Sequence, residues 1–124
     1  MKNITENKMS LSGPDRTTEK AKIAIYARTA CSDKQKIADQ ISHCKDFIES
    51  NGWNPEDAAI YTDDGYSGCE ENRPGYQQML RDTEEGNFQI LVICNFDRLM
   101  RNPQKLMNVL DSLSKKHIKT FIAC

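Results

Sequence analysis

The stretch that decides the fold is FQILVICN, residues 88–95. Its apolar residues follow one another almost without interruption, so a strand formed here would present an apolar surface on both faces. Strands of this kind are typical of parallel sheets, in which helices cover each side. The stretch therefore predicts a strand in the middle of a parallel sheet.

Strand-like and helix-like segments alternate around this stretch. Short β-type apolar runs occur at KIAIYA (22–27), AAIYTD (58–63) and HIKTFIAC (117–124). Apolar residues recur at helical spacing over 34–50, from residue 74 to about 85, and after residue 103. This order predicts a three-layer α/β fold: a mainly parallel sheet of about four strands with helices on both faces and a site at the carboxyl ends of the strands.

Composition limits the class of protein. Residues 1–20 are polar with a Gly-Pro break, which predicts a disordered leader, and the rest, 21–124, is expected to form one domain. The formal net charge of −1 provides no general attraction to nucleic acid or to an anionic membrane. No segment approaches the roughly 20 apolar residues of a membrane span, and the N-terminus lacks the apolar core of a signal peptide.

The cysteines suggest a reducing environment. Five are present, widely spaced and without a C-x-x-C pair. This pattern predicts neither a disulfide framework nor a zinc site, and it fits the cytoplasm best. Cys44 and Cys94 are expected to be small core residues.

Charged residues cluster where the predicted strands end. Arg28 follows the first strand and Arg73 lies in the long loop after the second, DDGYSGCEENRPG (63–75); Asp97, Arg98 and Arg101 follow the third. The carboxyl ends of parallel strands meet at one edge, so the four arginines are expected to converge and bind phosphate oxygens. A helical turn over FDRLMR would place Arg98 and Arg101 on one face. Asp97 could orient an arginine, transfer a proton or cap a helix.

The order of several short motifs carries a family resemblance. IYAR (25–28), IYTDDGYSG (60–68), NRPGYQQML (72–80) and ILVICNFDRLMRN (90–102) occur in this sequence in that order. Together they resemble the catalytic domain of the serine recombinases, the resolvase and invertase family, and especially its large serine recombinase branch. The resemblance runs from about residue 22 to the end of the chain, and the combination is far more specific than any one motif.

The resemblance implies site-specific cleavage and rejoining of DNA without a cofactor or a bound metal. In that family a serine attacks a backbone phosphate, forms a 5′-phosphoseryl bond and releases a 3′-hydroxyl. Subunits act as dimers that assemble into a synaptic tetramer, and the reverse reaction reseals the strand. Carried over by position, the clamp on the phosphate would consist of Arg28, Arg73, Arg98 and Arg101. Asp97 would transfer a proton or hold an arginine. Gln40 would support the nucleophile loop, which is the loop that follows Arg28 and carries the attacking residue.

The resemblance also implies that the domain continues beyond the fourth strand, so its C-terminal part is expected to be truncated here. Family members contact duplex DNA mainly through those later regions. They are encoded by bacteria or mobile elements and take part in DNA integration and recombination, which implies a cytoplasmic protein that does not bind membranes.

The nucleophile loop departs from the family pattern, Y-x-R-V-S. Counting forward from Arg28 places the nucleophile at Ala30, which has no nucleophilic atom. Counting back from the D-K-Q motif places it at Cys31, with Ser32 next to it. Three readings follow: Ser32 attacks, Cys31 attacks, or the domain is catalytically inactive and serves as an oligomerisation or DNA-associated module.

Two other phosphate chemistries do not fit the spacing. A cysteine phosphatase loop needs an arginine six residues after the cysteine, and positions 37, 50, 75 and 100 hold none. The G-K-S or G-K-T of a nucleotide-binding loop does not occur.

Overall fold

The computed structural model describes residues 22–68 and 70–123. The predicted leader, 1–20, lies outside the described residues. The strands are β1 (Ile23–Thr29), β2 (Ala59–Asp64), β3 (Ile90–Ile93) and β4 (Lys119–Ile122). The helices are α1 (Lys34–Ser50), α2 (Pro74–Glu84), α3 (Phe96–Leu99) and α4 (Pro103–Lys115), with a 3-10 turn at Pro55–Asp57.

The strands form one parallel sheet in the order β2, β1, β3, β4. Leu91 of β3 pairs with Ala24 of β1 on one side and with Thr120 of β4 on the other. Every residue of β3 is buried, as its unbroken apolar sequence predicts. The predicted α/β fold with a parallel four-stranded sheet is therefore confirmed.

Two apolar cores lie on opposite faces of this sheet. Alternate residues of a strand point to opposite faces, so Ala24 and Tyr26 enter one core and Ile23 and Ile25 enter the other. The first core also takes side chains from α2, α3 and α4: Tyr76, Met79, Leu99 and Leu113. The second takes Cys44 and Ile48 from α1, with Trp53 packed at its margin. Helices thus cover both faces.

Local sequence determines where the helices begin. The side chain of Asp33 accepts hydrogen bonds from the first backbone N–H groups of α1 and acts as its N-cap. Pro74 and Pro103 occupy the first turns of α2 and α4, where the missing N–H of proline has no cost. Gly52 follows α1 with a φ of +83°, a conformation that favours glycine.

The segment after β3 differs from the sequence prediction. A helical turn forms, but it ends at Leu99 because Met100 is extended, with a φ of −161°. The side chain of Met100 is buried in the first core. Arg98 and Arg101 therefore do not share one helical face, because the chain changes direction between them.

Cys94 follows β3 and is buried, as predicted for a core residue. It is also disulfide-bonded, a pairing that the spacing of the cysteines did not predict. Cys44 is a free, buried thiol, as predicted. No helix within the described residues is both long and apolar enough to cross a membrane.

Candidate active site

Arg28 lies at the carboxyl end of β1 and is almost completely buried, with 1% of its surface exposed. Its Nε donates a hydrogen bond to the carbonyl oxygen of Arg98 at 3.2 Å. Its two Nη atoms donate to the carbonyl oxygens of Tyr66, at 2.7 Å, and Asp97, at 3.0 Å. One guanidinium group therefore joins β1 to the loop after β2 and to α3.

Arg73 precedes α2 and is completely buried, with 0% exposed. Its Nε donates to the carbonyl oxygen of Glu70 at 2.6 Å, and one Nη donates to that of Leu99 at 2.7 Å. The other Nη donates to the Tyr26 hydroxyl at 2.9 Å. The guanidinium also stacks on the ring of Tyr76, 4.3 Å from its centroid. Hydrogen bonds and aromatic contacts thus compensate for burying this charge.

These two guanidinium groups are neighbours, because both donate to the carbonyl oxygen of Arg98, from 3.2 Å and 3.4 Å. Burial lowers the pKa of Arg28, and the positive charges of Arg73 and Arg98 lower it further. The predicted convergence of arginines at the carboxyl edge is therefore present in the structure. Its form differs from the expected surface clamp, since Arg28 and Arg73 lie in the interior.

Arg98 and Arg101 complete the cluster nearer the surface. Arg98 donates from Nη1 to the carbonyl oxygen of Arg28 at 3.2 Å. Its Nε is buried and has no hydrogen-bond partner among the described residues. The backbone N–H of Arg101 donates to the carbonyl oxygen of Gly68 at 2.9 Å, so the loop after β2 holds the chain at this residue.

Asp97 is half exposed and forms an ion pair with Arg101, with 3.4 Å between Oδ1 and Nε. This contact matches the prediction that Asp97 holds an arginine. The alternative, an N-cap, is wrong because the N-cap of α3 is Asn95 and Asp97 lies in the first turn.

The candidate nucleophiles lie on the exposed loop between β1 and α1. Ala30, Cys31 and Ser32 are all exposed, and Cys31 has a free thiol. The hydroxyl of Ser32 donates to Oδ2 of Asp64 at 3.1 Å. The loop therefore presents a hydroxyl and a thiol side by side, and only a methyl group at Ala30.

Gln40 anchors the base of this loop from α1. Its side chain is buried, accepts a hydrogen bond from the backbone N–H of Arg28 at 3.1 Å, and donates to the carbonyl oxygen of Arg28 at 3.0 Å. This paired contact fixes the backbone of Arg28 just before the loop begins.

Two acidic residues of the site escaped sequence reasoning. Asp63 is buried and accepts hydrogen bonds from the Tyr26 hydroxyl at 2.7 Å and from the backbone N–H groups of Gly75 and Tyr76 at 2.8 Å. Asp64 accepts the bond from Ser32 described above. Both lie at the carboxyl end of β2, as its last two residues, and that position was the signal that could have identified them.

The hydrogen bond to Asp63 and burial together raise the pKa of Tyr26, burial being the larger cause. The hydroxyl of Tyr26 therefore stays protonated and links Asp63 to Arg73 as both donor and acceptor. This chain of contacts holds Arg73 in addition to its bonds to the carbonyl oxygens of α3.

Comparison with known proteins identifies the family. Residues 23–124 match the model of a family described as Resolvase, N terminal domain. The chain belongs to this family. No curated protein sequence matches it.

Solved structures agree with this assignment. The N-terminal catalytic domain of TP901-1 integrase is 28% identical, with a TM-score of 0.76, and the match covers 82% of this chain and 77% of that one. A resolvase family site-specific recombinase from Streptococcus pneumoniae is 21% identical, with a TM-score of 0.70 and coverage of 83% and 72%. The C-terminal catalytic domain of ISC1926 TnpA, an IS607-like serine recombinase, is 22% identical, with a TM-score of 0.74 and coverage of 82% and 70%. The latter two show the fold alone. The predicted family is confirmed, and the resolvase-family domain has the catalytic-domain fold of serine recombinases.

Proposed function

We propose that this resolvase-family domain is the catalytic domain of a site-specific recombinase that cleaves and rejoins duplex DNA through a covalent 5′-phosphoseryl intermediate. The observation that carries the proposal is the convergence of the Arg28 and Arg73 guanidinium groups on the carbonyl oxygen of Arg98, whose own guanidinium donates to the carbonyl oxygen of Arg28, at the base of an exposed loop with a serine. In a chain of net charge −1, this cluster concentrates positive charge where a phosphate could approach.

The proposed nucleophile is Ser32. Its hydroxyl loses a proton as Oγ bonds to phosphorus, and the bond from phosphorus to the 3′ oxygen breaks. The leaving oxygen takes up a proton and becomes the 3′-hydroxyl, so one phosphoester replaces another and the reverse reaction can reseal the strand. Arginines stabilise the extra negative charge that develops on the phosphoryl oxygens.

The arginines differ in how easily they could reach a phosphate. A guanidinium has five N–H donors, and the bonds of Arg28 to protein acceptors use three of them, so capacity for a phosphate oxygen remains. Arg73 makes five such contacts, including one to the sulfur of Met100, and must release one before it can touch a phosphate. Arg98 and the more exposed Arg101 complete the proposed clamp, with Asp97 holding Arg101.

We further infer that the unit 21–124 is part of a longer catalytic domain in a cytoplasmic, mobile-element recombinase of the large serine branch. It would pair as a dimer and form a synaptic tetramer on DNA. The match to an integrase catalytic domain supports this part of the proposal.

A trapping experiment tests the nucleophile. The protein, extended by a DNA-binding module of known target, is incubated with a DNA duplex nicked beside the cleavage position so that the covalent adduct cannot be resealed. We expect a gel-stable adduct that disappears in Ser32→Ala and persists in Cys31→Ala. Ser112→Ala, an exposed serine on α4, is the matched control and retains the adduct.

The same experiment decides between the proposal and a second candidate, a non-enzymatic oligomerisation or DNA-associated module. Ala30 occupies the position where the family pattern Y-x-R-V-S has its serine, and this favours the non-enzymatic candidate. DNA binding without an adduct from the unsubstituted protein would support the module. An adduct lost only in Cys31→Ala would make Cys31 the nucleophile instead.

A further inference from the structure

A network of hydrogen bonds joins the ends of β1 and β2 around the carboxylate of Asp64. Oδ1 accepts from the hydroxyl of Thr29 at 2.6 Å and from the backbone N–H of Asp33 at 2.7 Å. Oδ2 accepts from the hydroxyl of Ser32 at 3.1 Å. We propose that Asp64 is a positioning residue that fixes the rotamer of the Ser32 hydroxyl, an inference that rests on the proposed function.

The backbone around this carboxylate is fixed independently. The N–H groups of Gly65 and Tyr66 both donate to the carbonyl oxygen of Thr29, at 2.9 Å and 2.8 Å. Gly65 has a φ of +89°, which allows the chain to turn directly after Asp64. Because the turn is locked to the end of β1, the carboxylate has little freedom to move away from Ser32.

The direction of the bond to Ser32 matters for attack. The serine donates its only proton to Oδ2, so the lone pairs of Oγ point away from the carboxylate and are available to an electrophile. Holding a nucleophile in one such orientation is worth a large factor in rate, since a displacement of about 1 Å can cost about 100-fold. Asp64 would provide this orientation without touching the DNA.

The ionisation state of Asp64 supports the role. The hydrogen bond from Thr29 lowers the pKa of the carboxyl, and that from the backbone of Asp33 lowers it further. The carboxylate is therefore ionised at neutral pH and can only accept. The positive charge of Lys34 lowers this pKa as well.

The contact to Ser32 is separate from helix capping. The carboxylate of Asp33 itself caps α1, accepting from the backbone N–H groups of Gln35 at 3.1 Å and Lys36 at 3.2 Å. These capping bonds do not involve Asp64, and an asparagine at position 64 can still accept from the backbone N–H of Asp33 through its amide oxygen. A change in reactivity at Ser32 can then be distinguished from a loss of structure.

Asp64→Asn is the first test. The amide oxygen can still accept from Thr29 and Asp33, but the amide nitrogen now faces Ser32 and can only donate. In the DNA trapping assay, we expect adduct formation to slow by about 100-fold, with unchanged thermal unfolding. Asp111→Asn removes an exposed carboxylate of α4 that pairs with Lys115 at 3.1 Å, and it should leave the rate unchanged. An unchanged rate in Asp64→Asn would overturn the proposal.

A second test does not depend on DNA cleavage. In a Cys31→Ala, Ser32→Cys background, peptide-resolved alkylation by iodoacetamide is followed against pH. A neighbouring carboxylate raises the pKa of the introduced thiol, so adding Asp64→Asn should lower that pKa and accelerate alkylation at pH 7 by about threefold or more. Asp111→Asn should have no effect. Equal alkylation rates with and without Asp64→Asn would show that Asp64 does not act on residue 32. A lowered thiol pKa together with no DNA adduct from the unsubstituted protein would overturn only the proposed function.

Discussion

At the scale of single residues, the structure places two of the predicted phosphate ligands in the interior. Arg28 and Arg73 are the largest fully buried side chains of the described residues. An unpaired buried charge would be very unfavourable, but carbonyl oxygens from neighbouring loops accept hydrogen bonds from both. The planar, five-donor guanidinium suits this arrangement, whereas the ammonium group of lysine could not contact the same set of oxygens. Structural and proposed chemical roles therefore coincide in these side chains.

Gly68 is the residue whose size limits this cluster. A Cβ there would overlap Cγ and Cδ of Arg101 and lie 2.8 Å from Nη2 of Arg28. Arg101 is exposed and can move, but Arg28 cannot, so we expect Gly68→Ala to destabilise the fold by about 1–3 kcal/mol. Adduct formation should fall by about tenfold or more, because Arg101 would leave Asp97. Urea unfolding and the trapping assay measure the two effects.

Gly86→Ala is the control for this prediction. Gly86 has a φ of +70°, and no atom of residues 22–68 or 70–123 lies within 4 Å of an added Cβ, so its substitution strains the backbone far from the site. We expect a stability loss of about 1 kcal/mol and no change in the rate per folded molecule. A normal rate in Gly68→Ala would show that the position of Arg101 is unimportant.

At the scale of elements, one side chain of α1 forms hydrogen bonds with the backbone of β1. Gln40 pairs with both backbone groups of Arg28, which places the start of the nucleophile loop relative to the helix that follows it. The carbonyl oxygen of Arg28 also accepts from Nη1 of Arg98, so it keeps a partner when Gln40 is removed. The backbone N–H of Arg28 depends on Gln40 more strongly than this carbonyl oxygen does.

We therefore expect Gln40→Leu to cost about 1–3 kcal/mol, the usual penalty for a buried donor without a partner. Gln104→Leu is the matched control, since Gln104 is exposed on α4 and its side chain donates to Asn108 at 3.3 Å. It should change stability by less than about 0.5 kcal/mol. Chemical denaturation compares the two variants, and equal stability would mean that water or another group satisfies Arg28.

Elements with strong local signals could be predicted from the sequence, and contacts that depend on strand register could not. Helix α1 spans Lys34–Ser50, as its apolar period over 34–50 predicts. The turn at α3 was predicted too long, because burial of Met100 in the core stops it. Asp64 was missed because its bonds to Thr29 and Ser32 span more than thirty positions and arise only when β1 and β2 pair.

The arginine site was likewise predictable from the sequence only in part. Parallel strands place Arg28, Arg73 and Arg98 at one edge, and this part followed from the order of elements. Which of them is buried depends on side-chain packing around Tyr26 and Tyr76, which no periodic pattern encodes.

At the scale of the whole molecule, both cores contain groups that can lose a proton. Tyr26 and Tyr76 lie in one core and Cys44 in the other, while Tyr61 packs against the first. Burial raises the pKa of Cys44 to about 12, and burial is also the largest cause of the raised pKa values of the three tyrosines. The folded protein therefore holds these protons more tightly than the unfolded chain does.

This difference predicts alkaline destabilisation. The contribution of each group is fully present below its ordinary pKa, 9.0 for a thiol and 10.0 for a phenol, and is lost as pH rises toward the folded value. Urea unfolding at pH 7, 9, 10 and 11 should show a free energy of unfolding that falls with a slope of up to about 1.4 kcal/mol per pH unit for each group. Tyr61→Phe removes one phenol and its bond to Asp82, so it should be less stable at pH 7 but decline less steeply. The slopes are compared because the lost hydrogen bond changes only the free energy of unfolding at pH 7. An unchanged slope in Tyr61→Phe would mean that the Tyr61 phenol has the same pKa in the folded and unfolded chains.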